Sequence, residues 1–267
     1  MFETAEWMIG QGICSAIKQP TPVTEAKPQP TPVTMPANRA IDIDLRPYFR
    51  CDHPELSRRG ISAATCRYLG CGFLPPRTNG GSSSPLHSRL VFQIRGVKED
   101  GQGLQSIILS HTGRALMPEQ EHFDGKYWSY PFRKGLEIYN QDHLLLDPEA
   151  GRQMSLFGLV LVEGFFDVAK LVEAGCRNVG ALMGAHISAE QIERLAWIRS
   201  RVGFPGVVLF LDRDEAGRKG ACQAFDGLRR RNFDVSIFDW NQPQNTILDP
   251  ADMSLDQLQQ LRTQGCF

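Results

Sequence analysis

The chain has 267 residues, 42% of them hydrophobic and 22% charged, with a formal net charge of −1; this length makes one large or two small domains of ordinary globular composition. No apolar run approaches the ~20 residues that span a bilayer, and the acidic N-terminus has no basic n-region and so does not read as a secretory signal. The chain as a whole is no polycation, so binding to nucleic acid would require a local basic surface.

The first 17 residues, with "ETAEWMIGQGICSAI", read as a short helical segment too small to be a domain. "QPTPVT" then occurs twice, at 19–24 and 29–34. Proline fixes φ and removes a donor, so 18–39 reads as a semi-rigid linker. The seven cysteines are scattered and include no C-x-x-C pair. Cys51 and His53 lie close together but lack a second pair, so no zinc site is expected. With no secretory signal, free thiols and a cytoplasmic location are expected.

Residues 40–150 read as a smaller α+β unit. "LSRRGISAATCRYLGCGF" (56–73) reads as a small helix capped by Ser62 and closed by glycines. A Gly/Ser-rich loop follows at 76–88. "RLVFQIRG" (89–96) and "QSIILSHTGRAL" (105–116) read as a hairpin across "VKEDGQG". The aromatic and basic stretch "GKYWSYPFRKGLEIYN" spans 125–140, where Tyr127, Trp128 and Tyr130 suit either base stacking or partial burial.

From 151 to 255 apolar strands alternate with helices. The predicted strands are 156–164, 178–184, 206–214 and 234–240, and the helices are 166–175, 188–200 and 215–232. Ser188 and Gln191 form a capping box at the second helix. This alternation predicts a parallel sheet flanked by helices, followed by a C-terminal tail at 256–267.

In an open parallel sheet ligands bind at the carboxyl ends of the strands. Glu163 ends the first strand, Asp212 and Asp214 end the third, and Asp249 and Asp252 follow the fourth. If strand geometry persists, Asp212 and Asp214 project side by side. Adjacent carboxylates repel unless neutralised, and Mg²⁺ or Mn²⁺ is the fitting partner. The competing reading is a set of solvated turns.

"LVEGFFDV", "FLDRDEAGRKGA" and "DPADM" together resemble the TOPRIM domain of DnaG-type primases. "LSRRGISAATCRYLGCG", "RLVFQIRG…HTGRAL" and "KYWSYPFRKGLEIYN" resemble the primase core that precedes it, so the resemblance spans about 45–255. It implies catalytic Glu163, Asp212 and Asp214, with Asp249 and Asp252 joining them around two or more ions. It implies Arg114, Arg133 and Lys134, with Lys126 in the same stretch, on nucleic acid or nucleotide, and Gly164, Asp167 and Gly217 in support. Arg213 and Arg218, at a helix start, suit either nucleotide phosphates or solvation of that start. The family's zinc ribbon and later helical region are not seen, and its D-P-D reads Asp249-Pro250-Ala251-Asp252.

The expectation is therefore a minimal primase core of a mobile element or phage, making short RNA primers on single-stranded DNA from nucleoside triphosphates. A helicase or zinc-ribbon protein would act in trans, and no membrane is involved. The alternatives are a TOPRIM nuclease, or a nucleic-acid-binding subunit inactive without a partner.

Overall fold

The computed structural model describes residues 2–3, 37–77, 84–240 and 247–265. The segment 1–17, apart from Phe2–Glu3, and the linker up to residue 36 lie outside the described residues. Two sheets organise the chain. The first is antiparallel, in the order β2 (Cys71–Leu74), β3 (Arg89–Asp100), β4 (Gly103–Arg114), β5 (Tyr127–Ser129). The second has the order β1 (Phe2–Glu3), β9 (Asp234–Phe238), β8 (Gly206–Leu209), β6 (Leu159–Val162), β7 (Val179–Ala181). All its pairings are parallel except that of β1 with β9.

Period-two alternation places the second sheet between two apolar layers. Val160 and Val162 face one core with Phe210 and Phe238, while Leu159, Leu161, Val207, Leu209 and Ile237 face the other. α6 (Phe165–Glu173) covers the first face through Val168 and Leu171. α7 (Ala189–Val202) and α8 (Glu215–Arg230) cover the second through Leu195, Ile198, Ala221 and Leu228. The predicted box at Ser188 forms, with Gln191 N–H donating to Ser188 Oγ over 3.0 Å and Ser188 N–H to Gln191 Oε1 over 3.0 Å.

The antiparallel unit shares the first of these cores. Leu90, Phe92 and Ile94 of β3 pack with α6, and the Phe92 ring lies 5.3 Å from Phe165 and 4.9 Å from Phe166. Tyr139 also pairs with Ala181, which extends the parallel sheet at β7 (N···O 2.9 and 3.2 Å). The two units are therefore held by apolar packing and backbone pairing together.

Several boundaries differ from the sequence reading. The 56–73 stretch is two helices, α1 (Pro54–Arg58) and α2 (Ala63–Leu69), followed by β2. Gly70 takes φ +66 and turns the chain directly into that strand. The β3–β4 hairpin keeps pairing to Asp100 and Gly103, well into the expected loop. No strand was expected before residue 40, yet β1 pairs with Ile237 and Phe238. At the end of the expected linker, Asn38 is docked on the backbone of Arg133 (2.7 and 3.0 Å) and on Glu137 (3.0 Å). The C-terminal segment contains α9 (Leu255–Thr263), whose Leu258 and Leu261 are buried in the core. Cys51, Cys66, Cys71 and Cys176 are free thiols, whereas Cys222 is disulfide-bonded.

α8 reaches the sheet edge because its first turns carry glycine. A Cβ at Gly217 would sit 2.1 Å from the Asp212 carbonyl oxygen, and one at Gly220 1.8 Å from that of Ala185. Ala normally gains about 1 kcal/mol over Gly inside a helix, but overpacking costs about 1–3 kcal/mol. A backbone carbonyl has little room to yield, so the clash wins. Gly220→Ala will lower the thermal midpoint, whereas Gly101→Ala, with nothing within 4 Å, will not. A Gly220→Ala protein as stable as wild type would disprove the close approach.

Candidate active site

The parallel sheet reverses its winding direction at β6. α6 leaves β6 for one face and α8 follows β8 on the other, which opens a crevice at the carboxyl ends of two adjacent strands. Glu163 and Asp212 stand on its two lips. Glu163 Oε1 accepts the Asp212 N–H at 3.2 Å. Phe210 N–H continues the ladder to Leu161 O (2.8 Å), and the Trp240 indole donates to Leu211 O (2.9 Å), so the loop carrying Asp212 is fixed from both sides.

The other acids are placed by local turns. Asp167, in the first turn of α6, accepts the Gly164 N–H at 2.7 Å. Asp249 caps the 3₁₀ turn Pro250–Asp252 by accepting the Asp252 N–H at 2.9 Å. Arg213 N–H bonds Leu248 O (2.7 Å), which brings that turn beside the Asp212 loop.

The result is a concentration of partly buried carboxylates. Burial first, then the neighbouring Asp167, Glu163 and Asp249, push the Asp212 carboxyl up to about 8. Asp167 is pushed to about 7 by burial and by Asp249. Burial also raises Glu163, and it raises Asp249 with help from Asp252. Asp212 Oδ1 is buried and has no hydrogen-bond partner among the described residues. An orphaned carboxylate oxygen amid other acids fits a hard divalent cation. Among the described residues no three His, Cys, Asp or Glu side chains converge on one ion position.

The acids share a groove with bases. It has a volume of about 780 Å³, and its lining includes Glu163, Asp167, Asp212, Asp249 and Asp252 together with Arg58, Arg59, Arg114, Lys126 and Lys134. Lys134 Nζ donates to Met183 O (3.2 Å), and Arg114 to the Tyr127 hydroxyl (3.3 Å). The Arg59 guanidinium lies 4.3 Å from the centre of the Phe166 ring. Lys170, on α6, donates to Arg59 O (2.9 Å), and burial lowers its pKa.

Other expected residues lie outside this lining. Asp214 does not run parallel to Asp212, because β8 ends at Leu209 and Asp214 caps α8, accepting the Gly217 N–H at 2.7 Å. Arg218 donates to Arg213 O at 2.6 Å, and Arg133 is exposed with its backbone held by Asn38. Gly217 acts as spacer beneath Asp212. Trp128 and Tyr130 pack on the small cluster of Leu74, Leu86 and Val91, while Tyr127 lines the groove. Sequence reading missed Arg58, Arg59 and Lys170. The adjacent bases before Gly60 in "LSRRG" were the available signal for the first two, whereas Lys170 looked like any polar helix position.

Residues 158–239 match the Toprim domain. The DNA primase of Pseudomonas putida is 27% identical over 199 residues, covering 64% of this chain and 28% of that protein. The DNA primase of Mycoplasma pneumoniae is 38% identical over 191 residues, covering 71% of this chain and 28% of that protein. The match thus spans little more than a quarter of either relative. Among solved structures, the DnaG primase catalytic domain bound to ssDNA superposes with a TM-score of 0.56 at 20% identity, covering 83% of this chain and 75% of that one. Residues 158–239 are thus similar to the Toprim domain, and the described chain shares the fold of a solved DnaG primase catalytic domain.

Proposed function

We propose that this chain is the catalytic core of a DNA-directed RNA primase, joining nucleoside triphosphates on a single-stranded DNA template. The observation that carries the reading is the groove whose lining joins acids of the parallel unit to bases of the antiparallel unit. A nuclease needs the same acids but not the antiparallel unit; a polymerising enzyme must seat a template strand and a triphosphate together. The likeness to a primase catalytic domain bound to ssDNA supports the same choice.

In this reading Glu163, Asp212, Asp249 and Asp252 hold Mg²⁺ or Mn²⁺, two or more ions in all. Asp214 joins them by exchanging its bond to Gly217. The ions, when bound, neutralise phosphate charge and favour attack by a 3′-hydroxyl. Asp167 holds the Gly164 backbone, which sets the lip that carries Glu163. Arg59, Arg114, Lys126 and Lys134 grip template and triphosphate oxygens, with Arg133, Arg213 and Arg218 as outer contacts. The reading includes a cytoplasmic setting, a mobile-element or phage origin, and a helicase or zinc-ribbon protein in trans. Among the described residues no helix is long and apolar enough to cross a membrane.

The deciding assay incubates purified protein with single-stranded DNA, labelled nucleotides and Mg²⁺ or Mn²⁺. Template-dependent oligonucleotides support the proposal. Shortening of the DNA without added nucleotides would favour the nuclease instead.

Asp212→Asn will abolish synthesis. The folded protein holds a proton on Asp212 up to about pH 8 that the unfolded chain releases near 3.8. This group therefore lowers stability increasingly as pH rises through that window. In EDTA the Asn variant will melt above wild type at pH 8 and close to it at pH 4. It will also lose much of the stabilisation that Mg²⁺ gives wild type. An unchanged melting difference between the two pH values would contradict the protonated carboxyl.

Lys134→Ala will weaken binding to single-stranded DNA and flatten the slope of log K against log salt by about 0.7. Thermal stability and metal binding will stay near wild type. Fluorescence anisotropy across a salt series checks this; an unchanged slope would place Lys134 off the strand.

A further inference from the structure

Bases and acids that line one groove attract one another. A guanidinium that closed on a carboxylate there would leave neither free for a ligand. Arg59 is within range of this: burial and Asp252 raise the Asp249 carboxyl, while bonds from the Asp252 and Ala251 backbone and then the Arg59 charge pull it back in part. Yet among the described residues no base of the groove forms an ion pair with an acid of its lining. Arg59 gives its Nε to Glu55 (3.0 Å), which lies outside that lining. Arg114 donates to the Tyr127 hydroxyl, Lys134 to Met183 O and Lys170 to Arg59 O, all uncharged acceptors.

The two arginines also share one ring. The Phe166 centroid lies 4.3 Å from the guanidinium carbon of Arg59 and 5.5 Å from that of Arg114, both inside the roughly 6 Å reach of a cation–π contact. Phe166 lines the groove next to Asp167 and is only 6% exposed. Phe92 packs against it at 4.9 Å with 86° between the planes, inside the core that joins the two units, so the ring has little freedom to turn. A ring quadrupole attracts a cation without neutralising it, which a carboxylate cannot do.

We propose that Phe166 is a positioning residue: it seats Arg59 and Arg114 and keeps both from closing on the acids of the groove. The bases then stay available to nucleic-acid phosphate and the acids to a divalent cation. The assignment rests on the primase reading for those two ligands.

The test uses the full chain and two binding measurements that need no turnover: Mn²⁺ by calorimetry, and fluorescent single-stranded DNA by anisotropy in EDTA. Phe166→Leu removes the ring face and keeps an apolar side chain. It will weaken both Mn²⁺ and DNA binding at least about threefold, the scale of one cation–π contact. Phe166→Tyr, which keeps the face, will stay near wild type in both. A double-mutant cycle separates positioning from packing. Arg59→Gln will raise Mn²⁺ affinity more in the Phe166→Leu background than in wild type, because only there does the guanidinium compete for the acids. Should Phe166→Leu not fold, Phe166→Met takes its place, being unbranched and adaptable in a core. Equal gains in the two backgrounds would overturn the proposal. So would a loss of DNA binding with Mn²⁺ affinity unchanged, or a Phe166→Tyr protein as weak as Phe166→Leu. Wild type that makes no primers yet binds Mn²⁺ and DNA would sink the primase reading, and the cycle would still decide the role of the ring. Wild type that binds neither would overturn both.

Discussion

Carboxylates that repel one another at a single sheet edge set the terms for the rest of this molecule. Asp212 carries a buried oxygen with no hydrogen-bond partner among the described residues, Asp167 is buried nearby, and Glu163 and Asp249 feel the same burial. Such a cluster costs folding energy unless protons or cations occupy it. Its persistence requires a frame that cannot relax. That frame is the Glu163 bond to the Asp212 backbone, the Trp240 bond to Leu211 O, and α8 pressed against the Asp212 carbonyl at Gly217 and the Ala185 carbonyl at Gly220.

The groove also depends on one core being shared between two units. Phe92 of the antiparallel sheet sits among Phe165, Phe166 and Tyr139, so the strands that carry Arg114 are fixed relative to the helix that follows Glu163. Two polar ties from α6 reinforce this. Lys170 holds Arg59 O (2.9 Å), and Glu173 accepts the Ser62 N–H (2.8 Å). Bases and acids thus line one groove in a fixed frame, as electrostatic preorganisation needs.

Much of the fold could be read from the residues, because its signals are local or periodic. Alternating apolar runs gave the four parallel strands, and Ser62 and Ser188 marked helix starts that form as expected. What escaped reading depended on tertiary context. β2 is a four-residue strand inside a glycine-containing stretch, held by pairing with β3. The expected side-by-side placement of Asp212 and Asp214 assumed a strand that stops at Leu209. The i,i+3 relation of Asp214 to Gly217 was itself a capping signal, and it competes with the metal reading. Lys170 escaped because nothing in its helix marks it as facing another unit.

The most direct measurement is of protons released when Mn²⁺ binds, by calorimetry in buffers of different ionisation enthalpy. With Asp212 held near 8 and Asp167 near 7 in the metal-free protein, an ion must displace protons from the cluster to bind at pH 7. Proton release at pH 7 that shrinks by pH 9 is the expected result. Tight Mn²⁺ binding with no proton release at pH 7 would contradict a strained, partly protonated acid cluster at this edge.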